Sequence, residues 1–382
     1  MRKSEFFSAK LPAHIQFTQS LNCFIEGSLS QSTAQSLSLG ELCQLSGNDC
    51  NLFEDIELSY ASLKGDVELR QSIAKFHQKL NHHQSHLDES NVLTFCGAQE
   101  ALASIYQCLL EVGDEIVVIT PNYPSLTNMA EDLGCIVKTI DVSPVNNWQI
   151  NIDSFRLKMT NKTKVIVINS PHNPTGSVID SDLAEEILSL AKEYDCYLLS
   201  DDVSHASNYN CLALSHRFLD YEKSLVVSVM SKSFGLAGIR IGWVMSKSEV
   251  LLSQLLAIKS VSSICCSVID EAAAKIAFKH CDEIIEQNNQ LIKKNIKIFQ
   301  QFVNEHKDLF QWHPPKAGIM AVVEVKNGIP IEVWAKELAN QAGILMLPTS
   351  LFGLSGNYFR LGLGQNNFKY LLLKLSQFIL KT

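Results

Sequence analysis

The sequence predicts an α/β protein with two domains, a large one built on a mainly parallel, doubly wound sheet and a smaller α+β one. The chain has 382 residues, which is more than one domain of the usual ~150 residues needs. From about residue 66 to 250, helix-period segments alternate with short β-branched runs, the pattern of a parallel sheet covered by helices. After residue 247 two long helical stretches are followed by short strands, which indicates a second domain.

The elements of the alternating region follow one another in a regular order. Short β-branched runs between turn residues predict strands over 91–95, 115–119, 164–169, 196–201 and 224–230, and a further one in CIVKTIDV. Amphipathic spacing predicts helices in GDVELRQSIAKFHQKL, AQEALASIYQCLLE, YPSLTNMAEDLG and DLAEEILSLAKEYD. These strands and helices build the large domain.

The rest of the chain predicts the smaller domain and an N-terminal segment. Helical stretches run roughly from LLSQLLAIKSV through FKH and over DEIIEQNNQLIKKNIKIFQQFVNEH, and short strands return in GIMAVVEV, ILMLP and YFRLGLG. We expect residues 1–55 to pack on the small domain or on a partner subunit, because they are poorly periodic. Residues 56–265 then form the large domain and residues 266–382 the small C-terminal domain.

The composition is that of a compact globular protein. Hydrophobic residues make up 46% of the chain and charged residues 19%, which excludes a disordered or collagen-like chain. Lys and Arg total 32 against 40 Asp and Glu, and the formal net charge of -8 would repel phosphate backbones and anionic lipids. We therefore expect no nucleic-acid partner and no membrane partner.

The cysteine and histidine positions predict neither disulfides nor a metal site. The 11 Cys are an odd number without a CxxC pair, which fits a reducing compartment better than a disulfide framework or a zinc ribbon. His82, His83 and His86 fall in the polar turn HHQSHLDES, which is typical of a solvated loop. No apolar run near the start has signal-peptide length, so we expect a soluble, cytoplasmic protein.

Polar side chains follow several of the predicted strands at the point where each strand ends. Lys232 comes after SLVVSVM, Asp201 ends CYLLS, Asn173 follows KVIVIN, and Gly97-Ala98-Gln99 joins NVLTF to a helix. The carboxyl ends of parallel strands meet at one edge of a sheet, where ligands bind. Free N–H groups at a helix start suit a phosphate, a buried carboxylate suits a pyridinium N–H, and a lysine can form a Schiff base. Pyridoxal 5′-phosphate has all three features.

Four motifs carry a family resemblance. GAQEAL, SPHNPTG, SKSFGLAGIRIGW and FRLGLG occur in the order and spacing of the fold-type-I pyridoxal-phosphate enzymes of aminotransferase class I/II, which the sequence resembles over residues 55–375. The resemblance implies that Lys232 binds the cofactor covalently and moves protons, and that Asp201 holds N1 of the ring protonated. It further implies that Asn173 donates to O3′ and that Arg240 and Ser231 bind the phosphate.

The same resemblance implies three more site residues. Tyr123 matches the aromatic residue that stacks on the pyridine ring, and we count it with Lys232 and Asp201 as catalytic. Tyr60 matches the tyrosine that reaches the phosphate of the neighbouring subunit, which implies a homodimer with shared active sites. Arg360 matches the arginine that clamps the α-carboxylate of an amino acid substrate through a bidentate pair.

The chain departs from the family pattern at two positions. Where the family has Asp-Glu-x-Tyr, this sequence has Asp201-Asp202-Val203-Ser204, so the tyrosine that shares O3′ with the asparagine is absent. If the segment stays extended, His205 points to the opposite face. Val229 stands where the family often has a phosphate-binding serine, and Ser228 precedes it.

The reaction has more than one interpretation. Transfer of an amino group from an L-α-amino acid to a 2-oxo acid is the commonest outcome in the family and is the first. VMSKSFGLAGIRIGW, GAQEAL and MLPTSLFG also resemble a subgroup with capreomycidine-synthase-like enzymes, which implies elimination and cyclisation of a hydroxylated arginine-type substrate. In that case the carboxylate of Glu26, in Glu26-Gly27, could hold the cationic side chain of the substrate. A non-catalytic protein with this fold is the third interpretation.

Overall fold

The computed structural model describes residues 11–47, 53–81, 86–212, 214 and 217–381. It contains helices at α1 Ala13–Gln19, α2 Leu39–Leu45, α3 Val67–Asn81, α4 Ala98–Leu109, α5 Ser125–Asp132, α6 Ile152–Lys158, α7 Ser181–Glu193, α8 Glu249–Ser260, α9 Val268–Lys279, α10 Cys281–Glu305, α11 Ile331–Ala342 and α12 Phe368–Ile379. Its strands are β1 Gly27–Ser28, β2 Val92–Phe95, β3 Glu115–Thr120, β4 Ile136–Asp141, β5 Thr163–Asn169, β6 Tyr197–Asp201, β7 Ser224–Val229, β8 Gly242–Met245, β9 Phe310–Trp312, β10 Met320–Val325, β11 Ile344–Leu345, β12 Leu347–Pro348 and β13 Tyr358–Gly362.

The large domain is built on a seven-stranded sheet in the order β2-β8-β7-β6-β5-β3-β4. The strands from β7 to β4 in that order pair in parallel, which confirms the predicted doubly wound core. Strand β8 pairs antiparallel with both β2 and β7 and was missed in the sequence, where GIRIGW reads as a glycine-rich turn. Its Trp243 is fully buried, so the sheet continues past the turn.

Alternate residues of the central strands face two separate layers of helices. Along β3, Ile116 and Val118 pack into the core shared with α4, α5 and α8. Val117 and Ile119 pack into the core shared with α3, α7 and α9. Burial on both faces is why these strands read as continuous apolar runs in the sequence.

The small domain is an antiparallel sheet with helices on it. Its strands follow the order β12-β13-β10-β9, and residues of α10, α11 and α12 complete its core. Strand β1 of the N-terminal segment pairs in parallel with β11. Phe17 and Leu29 of the same segment lie in the small-domain core. Among the described residues, no helix is both long and apolar enough to cross a membrane.

The packing suggests a different division of the chain from residue 266 onward. The predicted stretch from LLSQLLAIKSV to FKH is two helices, because Ser267 caps a new helix and its Oγ accepts from Asp270 N at 3.4 Å. Helix α9 then packs against α3, and its Phe278 lies in the large-domain core. Within α10, Ile284 belongs to the large-domain core and Ile292 to the small-domain core. We therefore propose that the boundary falls inside α10.

Candidate active site

A pocket opens at the carboxyl edge of the large sheet, where β5, β6 and β7 end. From the strand ends it is lined by Asn173, Asp201, Ser231 and Lys232. From the start of α4 and the neighbouring loops it is lined by Ala98, Gln99, Tyr123 and Arg240. The structure thus brings together, at one edge of the sheet, residues that the sequence singled out on separate segments.

Lys232 lies just past the end of β7 and is partly buried. Its Nζ donates a hydrogen bond to Ser32 Oγ at 2.9 Å. Burial lowers the pKa of Lys232 to about 8, with the charges of Arg360 and Arg240 acting in the same direction and Asp201 opposing them. About a tenth of this amine is therefore uncharged at pH 7, far more than for an ordinary lysine, and the uncharged form is the one that attacks an aldehyde.

Asp201 is the last residue of β6 and is only 5% exposed. Its Oδ1 accepts from Val203 N at 3.3 Å. Burial raises the pKa of Asp201 to about 7, and the neighbouring charge of Asp202 adds to the rise. A carboxylate in this position is stabilised when a positively charged N–H reaches it.

Asn169 links two of the predicted site residues and was not predicted itself. Its Nδ2 donates to the carbonyl oxygen of Asp201 at 2.8 Å, and its Oδ1 accepts from Asn173 N at 2.7 Å. It also lines the pocket. The available signal was its place as the first polar residue after the apolar run of β5.

Gly97 and Arg240 form an anion cradle at the start of α4. Gly97 is the N-cap of α4 with φ 93°, and no side chain caps this helix start. Arg240 lies beside it, with Nη1 donating to Ala237 O at 3.1 Å and Nη2 to Cys96 O at 3.4 Å. A Cβ on Gly97 would lie 2.4 Å from Arg240 Nη2, so the guanidinium lies directly against this glycine and would have to shift to admit a larger residue. Helix N–H groups and a guanidinium together suit a phosphate.

The two predicted tyrosines lie in different surroundings. Tyr123 lines the pocket, and Gln99 Nε2 donates to its hydroxyl at 3.2 Å. Tyr60 is 81% exposed and does not line the pocket of its own chain. Its predicted role in a neighbouring subunit stays a prediction.

Arg360 lies on β13 in the small domain and is 3% exposed. Its Nη2 donates to Ser30 O at 2.9 Å, and its guanidinium lies 4.4 Å from the centre of the Phe352 ring. Among the described residues, the Nε and Nη1 atoms are buried without a hydrogen-bond partner. Burial lowers the pKa of Arg360 to about 10, which still leaves it charged at neutral pH. Buried unpaired donors of this kind call for an anionic ligand.

Glu26 and Gly27 are not brought to the pocket. The carboxylate of Glu26 accepts hydrogen bonds from Tyr370 and Lys374 on α12, at the surface of the small domain. These bonds lower the pKa of Glu26. Gly27 lies in β1, where a Cβ would meet the side chain of Leu371 at 2.8 Å. The expectation that they contact substrate finds no support in this geometry.

The segment after Asp201 forms a turn. The expectation that His205 points to the opposite face assumed an extended segment, so it does not apply. Ser204 lies in this turn and is 9% exposed. Ser228 Oγ donates to Asp202 O at 3.4 Å, away from the pocket, while Val229 lines it. The two departures from the family pattern therefore leave neither a tyrosine nor a serine hydroxyl at their positions in the pocket.

Further residues near the site come from the N-terminal segment and were not predicted. Ser32 contacts Lys232, Thr33 lines the pocket, and Ser30 binds Arg360. The ring of His14 lies 5.5 Å from that of Tyr123. Burial, with smaller contributions from the charges of Arg360 and Lys232, lowers the pKa of His14 to about 4. Nothing local in the sequence indicates these contacts.

In the part of the chain that the structure describes, no group of three His, Cys, Asp or Glu residues is arranged to hold a metal ion. His82 and His83 lie outside the described residues.

A reactive lysine, a buried carboxylate and an anion cradle at the edge of such a sheet define a pyridoxal-phosphate enzyme of fold type I. The chain matches the family "Aminotransferase class I and II" over residues 53–372. It belongs to that family.

Relatives with known names include aminotransferases and a cyclising enzyme. A probable aspartate aminotransferase of Methanocaldococcus jannaschii is 27% identical over 310 residues, covering 79% of this chain and 80% of that one. Capreomycidine synthase of Streptomyces vinaceus is 26% identical over 262 residues, covering 69% and 67%. The crystal structure of a PLP-dependent aminotransferase from Streptococcus suis is 27% identical with a TM-score of 0.88, covering 98% of each chain.

The residues present fit pyridoxal 5′-phosphate. The Arg240 guanidinium lies against Gly97 at the start of α4, where no side chain caps the helix, and helix N–H groups with a guanidinium suit a phosphate. The buried Asp201 requires a cationic or N–H partner to be ionised, and the pyridine nitrogen is such a partner. Lys232 lines the same pocket as Asp201 and Arg240.

Proposed function

We propose that the protein is an aminotransferase that moves the amino group of an L-α-amino acid to a 2-oxo acid. One observation carries the proposal. A lysine with a lowered pKa lines the pocket, and the charge of a buried arginine with two unpaired nitrogens acts on that lysine. The pair suits a substrate with a carboxylate at one end and a reacting Cα–H at the other.

Arg360 is the proposed carboxylate clamp. Its Nη2 donates one of its two N–H groups to Ser30 O, and its Nε and Nη1 are buried without a partner among the described residues. The second N–H of Nη2 runs parallel to an N–H of either Nε or Nη1, and such a parallel pair matches the two oxygens of a carboxylate. The Phe352 ring against the guanidinium limits its freedom to turn. The substrate is thereby oriented before any bond changes.

Lys232 is the proposed proton carrier at Cα. Bound pyridoxal 5′-phosphate supplies an aldehyde that reacts with amines and a ring that takes up electrons from Cα. A pKa lowered to about 8 lies close enough to neutral pH for Lys232 both to accept a proton from Cα and to return it. Transamination requires the proton to return to a different carbon from the one it left.

The remaining pocket residues hold the cofactor in this proposal. Gly97, Ala98, Ser231 and Arg240 take the phosphate, and Asn173 takes the phenolic oxygen. Asp201 holds the proton on the ring nitrogen, since burial leaves its charge in need of a partner. Tyr123 stacks on the ring and Gln99 fixes its hydroxyl.

We also propose a cytoplasmic homodimer in which Tyr60 completes the site of the other subunit. Support comes from its exposure of 81% in an apolar neighbourhood that includes Leu58, 77% exposed. The base of this loop is held by Lys259, whose Nζ donates to Leu63 O at 2.7 Å. An apolar loop with a fixed base is suited to a partner surface.

Elimination with cyclisation is the second candidate. It is favoured by the replacement of the family tyrosine with Ser204 and by the similarity to capreomycidine synthase. Glu26 lies outside the pocket, bonded to Lys374, so the carboxylate expected to hold the guanidinium of the substrate is not at the site. Transamination therefore stays first.

One experiment separates the two reactions. The holoenzyme is incubated with an amino acid and no acceptor, first common amino acids and then arginine and its hydroxylated forms. An aminotransferase converts the cofactor to the pyridoxamine form, which absorbs near ~330 nm, and stops after one equivalent of oxo acid. Continued turnover without an acceptor would instead establish elimination.

A further inference from the structure

Ser32 of the N-terminal segment contacts the reactive lysine. Lys232 Nζ donates to Ser32 Oγ at 2.9 Å, although the two residues are 200 positions apart in the chain. Ser32 is partly buried, and the adjacent Thr33 lines the pocket. A hydroxyl from outside the large domain therefore reaches the nitrogen on which the chemistry depends.

The backbone around Ser32 is fixed from both domains. On the large-domain side, Ala34 N donates to Lys232 O at 3.1 Å. On the small-domain side, Gln365 Nε2 donates to Thr33 O at 2.9 Å and to Ala34 O at 3.1 Å. A Cβ on Gly364 would lie 2.4 Å from Thr33 O, so the two backbone segments approach as closely as glycine allows. Ser32 is consequently held in place by main-chain contacts on either side.

The same segment holds the proposed carboxylate clamp. Arg360 Nη2 donates to Ser30 O at 2.9 Å, and Ser30 Oγ donates to Arg360 O at 2.5 Å. Ser30 and Ser32 are separated by one residue. The short run from 30 to 32 thus connects the arginine that would bind substrate with the lysine that would react with it.

The large domain lacks a hydroxyl that the family pattern supplies. The tyrosine expected three residues after Asp201 is Ser204, whose side chain is much shorter and lies in a turn. Position 229 supplies no hydroxyl either, because it is a valine and the neighbouring Ser228 bonds to Asp202 O. Among the described residues, the hydroxyl that contacts Lys232 Nζ is that of Ser32, from the N-terminal segment.

We propose that Ser32 is a positioning residue for Lys232, holding its nitrogen in the pocket through the hydroxyl in a site that has lost the usual tyrosine. The inference rests on the proposed function, because Lys232 must be the residue that binds the cofactor. It assigns a role at the reacting nitrogen to the N-terminal segment.

The hydrogen bond between Lys232 and Ser32 favours one protonation state of the lysine. Ser32 Oγ accepts a hydrogen bond from Nζ, which stabilises the protonated form of the lysine. Arg360 and Arg240 act against protonation, and Asp201 acts in its favour. Removing the hydroxyl therefore lowers the pH at which the nitrogen loses its proton.

The test compares Ser32→Ala with Ser32→Thr, which keeps the hydroxyl, and with Ser36→Ala at an exposed serine of the same loop. The readouts are the pH midpoint of the visible absorption of the cofactor-bound protein and the rate at which apoprotein captures added pyridoxal 5′-phosphate. For Ser32→Ala we expect the midpoint to fall by about one pH unit, the effect of losing one charge-assisted hydrogen bond. Capture is compared at about pH 10, where the lysine is uncharged in both proteins, and we expect it to slow by about tenfold because the nitrogen is no longer held in place. Ser32→Thr restores most of both, and Ser36→Ala matches the wild type.

A Ser32→Ala protein with the wild-type midpoint and capture rate overturns the inference while leaving the proposed function intact. Equal losses in Ser36→Ala would show a general disturbance of the loop and would overturn it as well. A wild-type protein that forms no covalent link at Lys232 overturns the proposed function and the inference together. Borohydride reduction with peptide mapping distinguishes this last result from the others.

Discussion

The two halves of the site differ in how their polar groups are satisfied. In the sheet-edge half, at the ends of β5 to β7 and the start of α4, Asn169 bonds to both Asp201 and Asn173. In the same half, Arg240 donates to a main-chain carbonyl. In the small-domain half, Arg360 is almost fully buried, and two of its nitrogens have no partner among the described residues. The main-chain and side-chain groups of the first half are mostly bonded to one another, with Asn173 Oδ1 as a buried exception, whereas the second half contains a buried positive charge that a carboxylate can neutralise.

The difference separates cofactor binding from substrate binding. A preorganised set of groups binds a rigid ring and a phosphate with little loss of conformational freedom. A buried, incompletely paired guanidinium gains most from a carboxylate, because its desolvation has already occurred on folding. Variants in the two halves should therefore change different measurements.

The largest effect is expected from Arg360→Lys. Lysine keeps the charge but loses the two-pronged geometry, so kcat/KM for an α-amino acid should fall by about 2–5 kcal/mol, or roughly 30- to 5,000-fold. The affinity for the cofactor, measured by absorbance titration, should stay near the wild-type value. An unchanged kcat/KM would show that Arg360 is not the clamp.

Gly97→Ala should affect the opposite half. The new Cβ would lie 2.4 Å from Arg240 Nη2, so the guanidinium must move and cofactor affinity should fall by at least about tenfold. Gly113→Ala is the matched control, because Gly113 has a similar φ of 90° with nothing within 4 Å of its Cβ position. Alanine is strained at a positive φ, so both variants should be less stable than the wild type. Only Gly97→Ala should bind the cofactor more weakly. Equal cofactor affinities in the two variants would contradict the cradle.

Asp201→Asn should show a pH-dependent stability difference in the apoprotein. Because burial raises the pKa of Asp201 from 3.8 to about 7, the folded protein retains this proton while the unfolded chain loses it. Stability from the retained proton is present below about pH 4 and is lost as pH rises to about 7. Asp201→Asn should therefore match the wild type near pH 4 and become the more stable protein above pH 7 in thermal unfolding. With cofactor bound the order should reverse. A constant difference at all pH values would contradict the raised pKa.

Complementation tests whether the sheet-edge half extends across a dimer. Tyr60→Phe and Lys232→Ala subunits, each impaired alone, should regain some activity when mixed, because one of the two shared sites then has both residues. Sedimentation should give a dimer. A fully active monomer would contradict the shared site.

The smallest effect is expected from Glu26→Gln. Its carboxylate bonds to Lys374 and Tyr370 outside the pocket, so kcat/KM should change by less than about twofold with any amino acid, arginine included. Steady-state kinetics measure this directly. A selective loss with arginine-type substrates would return Glu26 to the site and favour cyclisation.

The sequence placed the residues of the sheet-edge half at one edge of the sheet for a physical reason. Lys232, Asp201 and Asn173 each follow a strand with a clear apolar pattern, and parallel strands bring their carboxyl ends to one edge. Strand β8 was missed because four residues after a glycine-rich turn carry too little pattern to stand out.

The small-domain half was predicted only at Arg360, through the motif FRLGLG. Its neighbours come from the N-terminal segment, and the contact between Ser30 and Arg360 spans 330 positions of sequence. Such contacts leave no local periodicity. Glu26 shows the converse, since its sequence position suggested the pocket and its hydrogen bonds to α12 hold it elsewhere.

Chemical labelling of the lysine tests the central claim most directly. The holoenzyme is reduced with borohydride and digested, and the pyridoxyl-labelled peptide is identified by mass spectrometry. The account predicts one label, on Lys232, and none in Lys232→Ala. A label on any other lysine, or no label in the wild type, would contradict it.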